Sequence, residues 1–268
     1  MNNQTNIDLL ASKIVRVFSY LDNGAISSGT GFYVSENGLI ITCCHALFDL
    51  SLRDSGRFVD IKGLDVKQKI EKVSKFVVTK IKKIEIESVD GKREKVILKE
   101  FDYFYDFALL KSMKSSGKKQ YLELELGKDL NYLDDIIFCG FPETPYYTLE
   151  NTPFTVNSAR VSSFPKLVVG GEKYEHIQLN GVNLGGNSGT AIIGVRDGKV
   201  YGIVNGNFIK SKDDLAVFQD VNNPNLGIKP DKFVVPLGIT YATSLTILKK
   251  SDIFQRLLLK LKINNNEA

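Results

Sequence analysis

The chain has 268 residues, 43% of them hydrophobic, which is enough to bury a sizeable core and argues against a disordered polymer. Its net charge of +4 is small for this length, and the basicity is local, with 12 Lys or Arg against 6 Asp or Glu in residues 62–99. The three cysteines, Cys43, Cys44 and Cys139, are odd in number and two are adjacent, unlike the disulfide framework of a small secreted domain. Arg16 splits Ile14-Val15 from Val17-Phe18, and no apolar run is long enough to span a bilayer, so a soluble cytoplasmic protein without a membrane partner is expected.

With 22 Gly, 16 Phe and 11 Tyr, and short Val, Ile and Leu runs between turn residues, the composition favours β structure. Residues 1–13 read as a polar arm with one helical turn, and residues 13–20 alternate as a strand does. Gly29-Thr30-Gly31-Phe32-Tyr33-Val34 starts another strand. Ser35-Glu36-Asn37-Gly38 is a hairpin turn, Asn-Gly supplying the positive φ angles of a two-residue loop, and Leu39-Ile40-Ile41-Thr42 is the returning strand. His45 comes directly after it.

Residues 57–100 read as short strands, with Ile84-Glu85-Ile86 alternating and Asp90-Gly91 turning before Val96-Ile97-Leu98, a basic hairpin excursion from a first barrel. No aromatic interleaving, RNA-binding signature or zinc-ligand spacing accompanies its charge, so a solvated face is expected there rather than a nucleic-acid interface. Residues 107–110 and 136–139 are compact apolar runs joined by a polar lobe-crossing stretch, which places one lobe at 1–125 and the other at 126–268. Further strands are expected at 155–163, 176–179, 190–195 and 200–204, about six strands per half, suggesting a pair of barrels. From Ser251 onward, Ile253, Leu257, Leu258 and Leu261 have helical spacing, and Ser251 or Asp252 suits the cap of an amphipathic helix packed on the second lobe.

Chemistry concentrates in Gly185-Gly186-Asn187-Ser188-Gly189, where glycines let a serine sit on a tight turn with the N–H groups of Gly186 and Ser188 pointing outward together. Such donors stabilise a developing oxyanion by about 3–4 kcal/mol each, although the same string also describes an ordinary surface turn. Serine needs a base, and only His45 and His176 exist. His45 ends an apolar strand beside the small Ala46, whereas His176 sits between Glu175 and Ile177 without such a setting. Asp106 opens the apolar run Phe107-Ala108-Leu109-Leu110 and is preferred to Asp102 as the carboxylate that orients the base.

His45, Asp106 and Ser188 occur in the order His, Asp, Ser. Ser28-Gly29-Thr30-Gly31-Phe32 with Gly38 to His45, Asp106 to Lys111, Gly140-Phe141-Pro142 with 155–163, Gly186-Asn187-Ser188-Gly189, and Phe233-Val234-Val235-Pro236 as a late strand ending in proline recur in one order. Together these segments resemble the trypsin-like serine protease superfamily, and within it the HtrA type, over residues 13–240. The resemblance implies an all-β fold of two six-stranded antiparallel barrels, a His45/Asp106/Ser188 triad between them, and an oxyanion hole at Gly186 and Ser188. No cofactor or metal is implied. Thr190 stands where the family has a second glycine, Ala191 where proline is common, and Asn187 where secreted trypsins carry the aspartate of their zymogen switch. After the second lobe there is no room for a PDZ module, so a stand-alone protease domain is expected.

By the same resemblance Val182, Asn183 and Leu184 approach the side-chain pocket, and Asn205, Gly206 and Asn207 line the cleft as an edge strand to which substrate adds. Neither segment is acidic, which points away from Lys or Arg and towards small or aliphatic side chains. The function expected is a serine endopeptidase acting on protein or peptide, with activation by a partner protein open. The alternatives are a catalytically silent or partner-gated peptide-binding module, its oxyanion turn collapsed around Thr190, and an accessory protein docking nucleic acid or a partner through 62–99. Cys43 and Cys44 read as buried strand residues rather than redox controls of His45.

Overall fold

Leu39–Thr42 is apolar at successive positions because both of its faces are buried: Ile40 points into a barrel, while Leu39 and Ile41 point into the seam between two barrels. The computed structural model describes residues 3–48, 62–113, 117–143, 152–169, 172–181, 184–210 and 235–266. Strands β1 (Ile14–Leu21), β2 (Ile26–Tyr33), β3 (Leu39–Thr42), β4 (Ile81–Glu87), β5 (Arg93–Asp102) and β6 (Phe107–Ser112) close a first antiparallel barrel in the order β1-β2-β3-β6-β5-β4. Val15, Val17, Ile40, Ile86, Ala108 and Leu110 fill it.

The second closed barrel runs β11-β14-β13-β12-β7-β8, from β7 (Asp135–Gly140), β8 (Thr155–Ser163), β11 (Ile177–Asn180), β12 (Ala191–Gly194), β13 (Val200–Lys210) and β14 (Val235–Ser244). Ile136, Phe138, Val161, Leu179, Ile192 and Val204 fill it. A two-stranded sheet, β9 (Lys166–Val169) with β10 (Glu172–Glu175), stands outside the barrel. Ile14, Phe32, Ile41, Phe107 and Leu109 of the first barrel meet Ala191, Ile193, Val200 and Ile203 of the second in one shared core, so the lobes are joined by apolar burial.

Several local expectations change. Residues 57–61 lie outside the described residues; β4 and β5 form the expected hairpin through Asp90-Gly91, but it is part of the barrel and not an excursion from it. Helix α2 (Val66–Val78) comes first, and β4 and β5 are staves of the barrel, registered as Val17↔Ile86 and Leu98↔Leu110. The start of α2 is a reciprocal cap: the Gln68 N–H donates to Asp65 Oδ1 at 2.9 Å and the Asp65 N–H to Gln68 Oε1 at 3.1 Å. Val73 and Phe76 then pack on the barrel core. Lys75, Lys80, Lys83, Lys92 and Arg93 each pair with an acidic side chain, so much of the local basicity is neutralised in place.

At the N-terminus α1 (Asn3–Ala11) is longer than one turn. In the Ser35–Gly38 turn Gly38 alone takes a positive φ, of 82°, and its N–H bonds the Ser35 carbonyl, a four-residue loop in place of the two-residue one. Phe233 and Val234 lie outside the described residues, and the described part of the late strand, Val235–Ser244, continues through Pro236 rather than ending at the proline.

After α3 (Leu245–Leu248), helix α4 (Asp252–Asn266) does not rest on the second lobe alone. Phe254 meets Phe107 edge to face at 5.4 Å, Ser251 Oγ donates to Asp102 at 2.6 Å, and Arg256 and Lys260 pair with Glu100. The outward apolar face of β6 needs a cover, and Phe254 and Leu257 supply it. No described helix is long and apolar enough to cross a membrane.

Candidate active site

His45 lies in the 3-10 turn Cys44–Ala46 just after β3, and Asp106 stands just before β6, the neighbour of β3 in the barrel. The adjacency of these two strands brings the side chains together. Asp106 Oδ2 lies 2.7 Å from His45 Nδ1, and Asp106 Oδ1 accepts the His45 backbone N–H at 3.0 Å. Two contacts to one carboxylate fix both the position and the rotation of the ring. Asp106 itself takes a left-handed φ of 52°, a conformation that aspartate adopts more readily than most residues and that local hydrogen bonds support. Asp102 provides that support: its Oδ1 accepts the N–H groups of Phe104 and Tyr105, and its Oδ2 accepts Ser251 Oγ. Asp102 is therefore occupied in building the turn that presents Asp106.

Ser188 comes from the loop before β12 and crosses the seam: its Oγ lies 2.7 Å from His45 Nε2. The first barrel grips the loop through the Thr30 N–H, which donates to the Ser188 carbonyl at 2.8 Å, and Thr30 Oγ1, which donates to the Gly186 carbonyl at 2.7 Å. Gly29 has no room for a side chain, since a Cβ there would stand 2.5 Å from Ala46 Cβ and 2.9 Å from the Ser188 carbonyl. Gly186 takes φ 85°, and a Cβ there would run into the Phe141 carbonyl. Among the described residues the N–H groups of Gly186 and Ser188 donate to no acceptor, while the neighbouring Asn187 N–H bonds Leu184 and the Thr190 N–H bonds Asn187. The Gly185 carbonyl, which a tight turn would fold onto the Ser188 N–H, instead accepts the Glu143 N–H at 2.6 Å.

Burial of the His45 ring would favour neutral imidazole; the Cys43 sulfur whenever it is a thiolate, and the Asp106 carboxylate through its charge and hydrogen bond, outweigh burial and raise the His45 pKa above the ordinary histidine range. Burial pushes the Cys43 thiol up, so near neutral pH Asp106 is the negative charge that acts. His176 is placed elsewhere. It is 6% exposed, and burial lowers its pKa against the opposing pull of the Ala242 backbone. It borders a cavity of about 180 Å³ behind Asp106, together with Tyr105, Asn205 and Thr243.

Of the residues expected to meet substrate, Val182 and Asn183 lie outside the described residues, and the Leu184 carbonyl closes the Asn187 turn. Strand β12 pairs with β13 only through Val200 to Ile203, whereas Gly206 and Asn207 pair with β14, so among the described strands one edge of 205–207 has no partner. Asn205 falls at the bulge of this strand, and its Nδ2 donates to Thr243 Oγ1 at 2.6 Å. Sequence reasoning missed Thr30 and Glu143, which hold the Ser188 loop from outside it. Glu143 also accepts Ser28 Oγ and lies 3.6 Å from the buried guanidinium of Arg16. The glycine-rich motif that contains Thr30 does not signal this contact and no motif marks Glu143, because each acts from a strand or loop distant in sequence from Ser188.

Comparison with known proteins places this geometry. Residues 29–203 match the model of the trypsin-like peptidase domain. Serine protease HTRA1 of Xenopus tropicalis is 28% identical over 178 residues, 66% of this chain and 31% of that protein. Serine protease HTRA4 of Mus musculus is 28% identical over 181 residues, 66% of this chain and 29% of that protein. The chain thus spans about a third of the length of these relatives. The crystal structure of the serine endoprotease from Yersinia pestis superimposes with a TM-score of 0.59 at 16% identity, covering 97% of this chain and 66% of that one, a likeness of fold.

Proposed function

Because this chain belongs to the trypsin-like peptidase domain family, we propose that it is a serine endopeptidase in which Ser188 attacks, His45 transfers protons and Asp106 orients His45. One observation carries the reading: an unbroken line of contacts from Asp106 Oδ2 to His45 Nδ1 and from His45 Nε2 to Ser188 Oγ, each 2.7 Å long. The N–H groups of Gly186 and Ser188, which have no acceptor among the described residues, stand beside it.

In the first half-reaction Ser188 Oγ adds to the scissile carbonyl carbon while its proton passes to His45 Nε2. Asp106 stabilises the imidazolium and holds the other ring nitrogen as its donor. The carbonyl oxygen, now an anion, takes hydrogen bonds from the Gly186 and Ser188 N–H groups. Collapse of the adduct breaks the C–N bond, and the amine leaves with the His45 proton, so that Ser188 carries the acyl group. Water then repeats the sequence, giving its proton to His45 and releasing the acid. The edge of 205–207 that has no partner among the described strands suits a substrate that adds as a strand. The absence of acidic side chains from 182–184 and 205–207 favours small or aliphatic residues at the cleaved position.

Intact mass after treatment with a fluorophosphonate probe tests this reading. The folded protein is expected to gain a single adduct, absent from Ser188→Ala and His45→Ala. A folded wild type that gains none in the presence of excess probe would overturn it in favour of a silent peptide-binding module.

A further inference from the structure

Cys43 has no part in the reaction just described, yet its Sγ lies 3.8 Å from His45 Nε2, the atom that also faces Ser188 Oγ at 2.7 Å. The other two thiols are engaged elsewhere. Cys44 Sγ donates to the carbonyls of Phe107 at 3.1 Å and Asp102 at 3.5 Å, and Cys139 is packed in the apolar core between the lobes. Of the described cysteines, Cys43 alone faces an imidazole.

Zinc binds thiolate sulfur at about 2.3 Å and imidazole nitrogen at about 2.0–2.1 Å, so two such ligands at a tetrahedral angle stand about 3.5 Å apart. The Cys43–His45 pair is within a few tenths of an ångström of that spacing. A histidine that ligates a metal almost always donates its other ring N–H to a carboxylate, which fixes the tautomer and aims the lone pair. Asp106 already accepts this bond from His45 Nδ1. The ligating atoms of Cys43, His45 and Asp106 lie within 4.8 Å of one another, but both Asp106 oxygens are used on His45, so its place is behind the imidazole. His45 remains 37% exposed although Cys43 is fully buried, so solvent reaches the pair from the His45 side.

We propose that Cys43 Sγ and His45 Nε2, beside Ser188 Oγ, form an inhibitory site for a thiophilic divalent cation of the zinc class. A thiolate with an imidazole selects zinc or cadmium over the hard cations magnesium and calcium. Binding replaces the Cys43 thiol proton, which is released to solvent, with a sulfur–metal bond. It also occupies the Nε2 lone pair that would receive the Ser188 proton, so the bound metal stops acylation without covalent change, and a chelator restores it. The inhibition rests on the hydrolase reading of this site; the binding does not.

Cobalt(II), a spectroscopic substitute for zinc, separates the two. Titrated into wild type, Ser188→Ala and Cys44→Ala, it is expected to produce the thiolate-to-metal charge-transfer band, which Cys43→Ala and His45→Ala lose while keeping the wild-type circular dichroism. Zinc is expected to suppress fluorophosphonate labelling of wild type, EDTA to restore it, and Cys43→Ala to require at least about tenfold more zinc. A band that persists in Cys43→Ala, or labelling indifferent to saturating zinc, overturns the proposal. A Cys43-dependent band in a protein that never labels would sustain the metal site and refute the hydrolase.

Discussion

In the first barrel His45 and Asp106 are joined side chain to side chain and side chain to backbone, at 2.7 and 3.0 Å, by groups on adjoining strands. The second barrel instead supplies Ser188 from a turn whose carbonyls are tied down by Thr30 and Glu143, outside that turn. The two halves of the site therefore depend on different things. The first rests on particular functional groups, and the second on the course of the backbone and on contacts across the lobe boundary. Removing a charge damages one; adding a single methyl group damages the other.

The largest effect separating the halves is expected from Asp106→Asn, which preserves shape but supports the wrong His45 tautomer, with kcat falling about 10⁴-fold. Its pH profile sharpens the point. His45 acts as base only when neutral, and its pKa is held well above the ordinary value, so wild-type kcat/KM should climb with pH through a range above about 6.5. With the Asp106 charge gone, burial lowers the His45 pKa and the residual activity should rise at lower pH. An unchanged acid limb would remove Asp106 as the cause.

Gly186→Ala tests the other half. Its φ of 85° disfavours any Cβ by about 1–2 kcal/mol, and the clash with the Phe141 carbonyl forces the turn to move. A loss of about 10²–10³ in kcat is expected, the effect of an oxyanion donor displaced, while the melting temperature falls only modestly. Retained kcat would mean that these N–H groups are not the donors.

Glu143→Ala should act least. It removes a countercharge of the buried Arg16 and an acceptor of Ser28, but leaves the backbone N–H that bonds Gly185. Glu143 is 42% exposed, so the stability cost lies between an open and a buried pair, about 1–2 kcal/mol by urea unfolding at unchanged m. A fall in kcat approaching that of Gly186→Ala would show that its side chain, and not only its backbone, holds the turn.

Much of the architecture was legible because period-two burial and turn glycines are local signals. Runs such as Phe107-Ala108-Leu109-Leu110 revealed strands with both faces covered. Helix α2 was misread as strand although Asp65 and Gln68 carry a capping signal, because the β-branched residues around Val73 outweighed it. The return of α4 to the first barrel was hidden, since its apolar stripe names a face and not the surface that face covers.

The sequence by itself determined the residue types of the site and their order, His45, Asp106 and Ser188, together with the glycines that let the nucleophile turn form, because tight turns restrict which residues fit. Only the tertiary structure decided that Asp102 braces the turn presenting Asp106, that His176 borders a cavity lined by Asp106, that Thr30 and Glu143 hold the Ser188 loop, and that Cys43 rather than Cys44 faces the imidazole. Those outcomes depend on strand register and on the packing of two barrels, which bring together groups up to 156 residues apart in the chain.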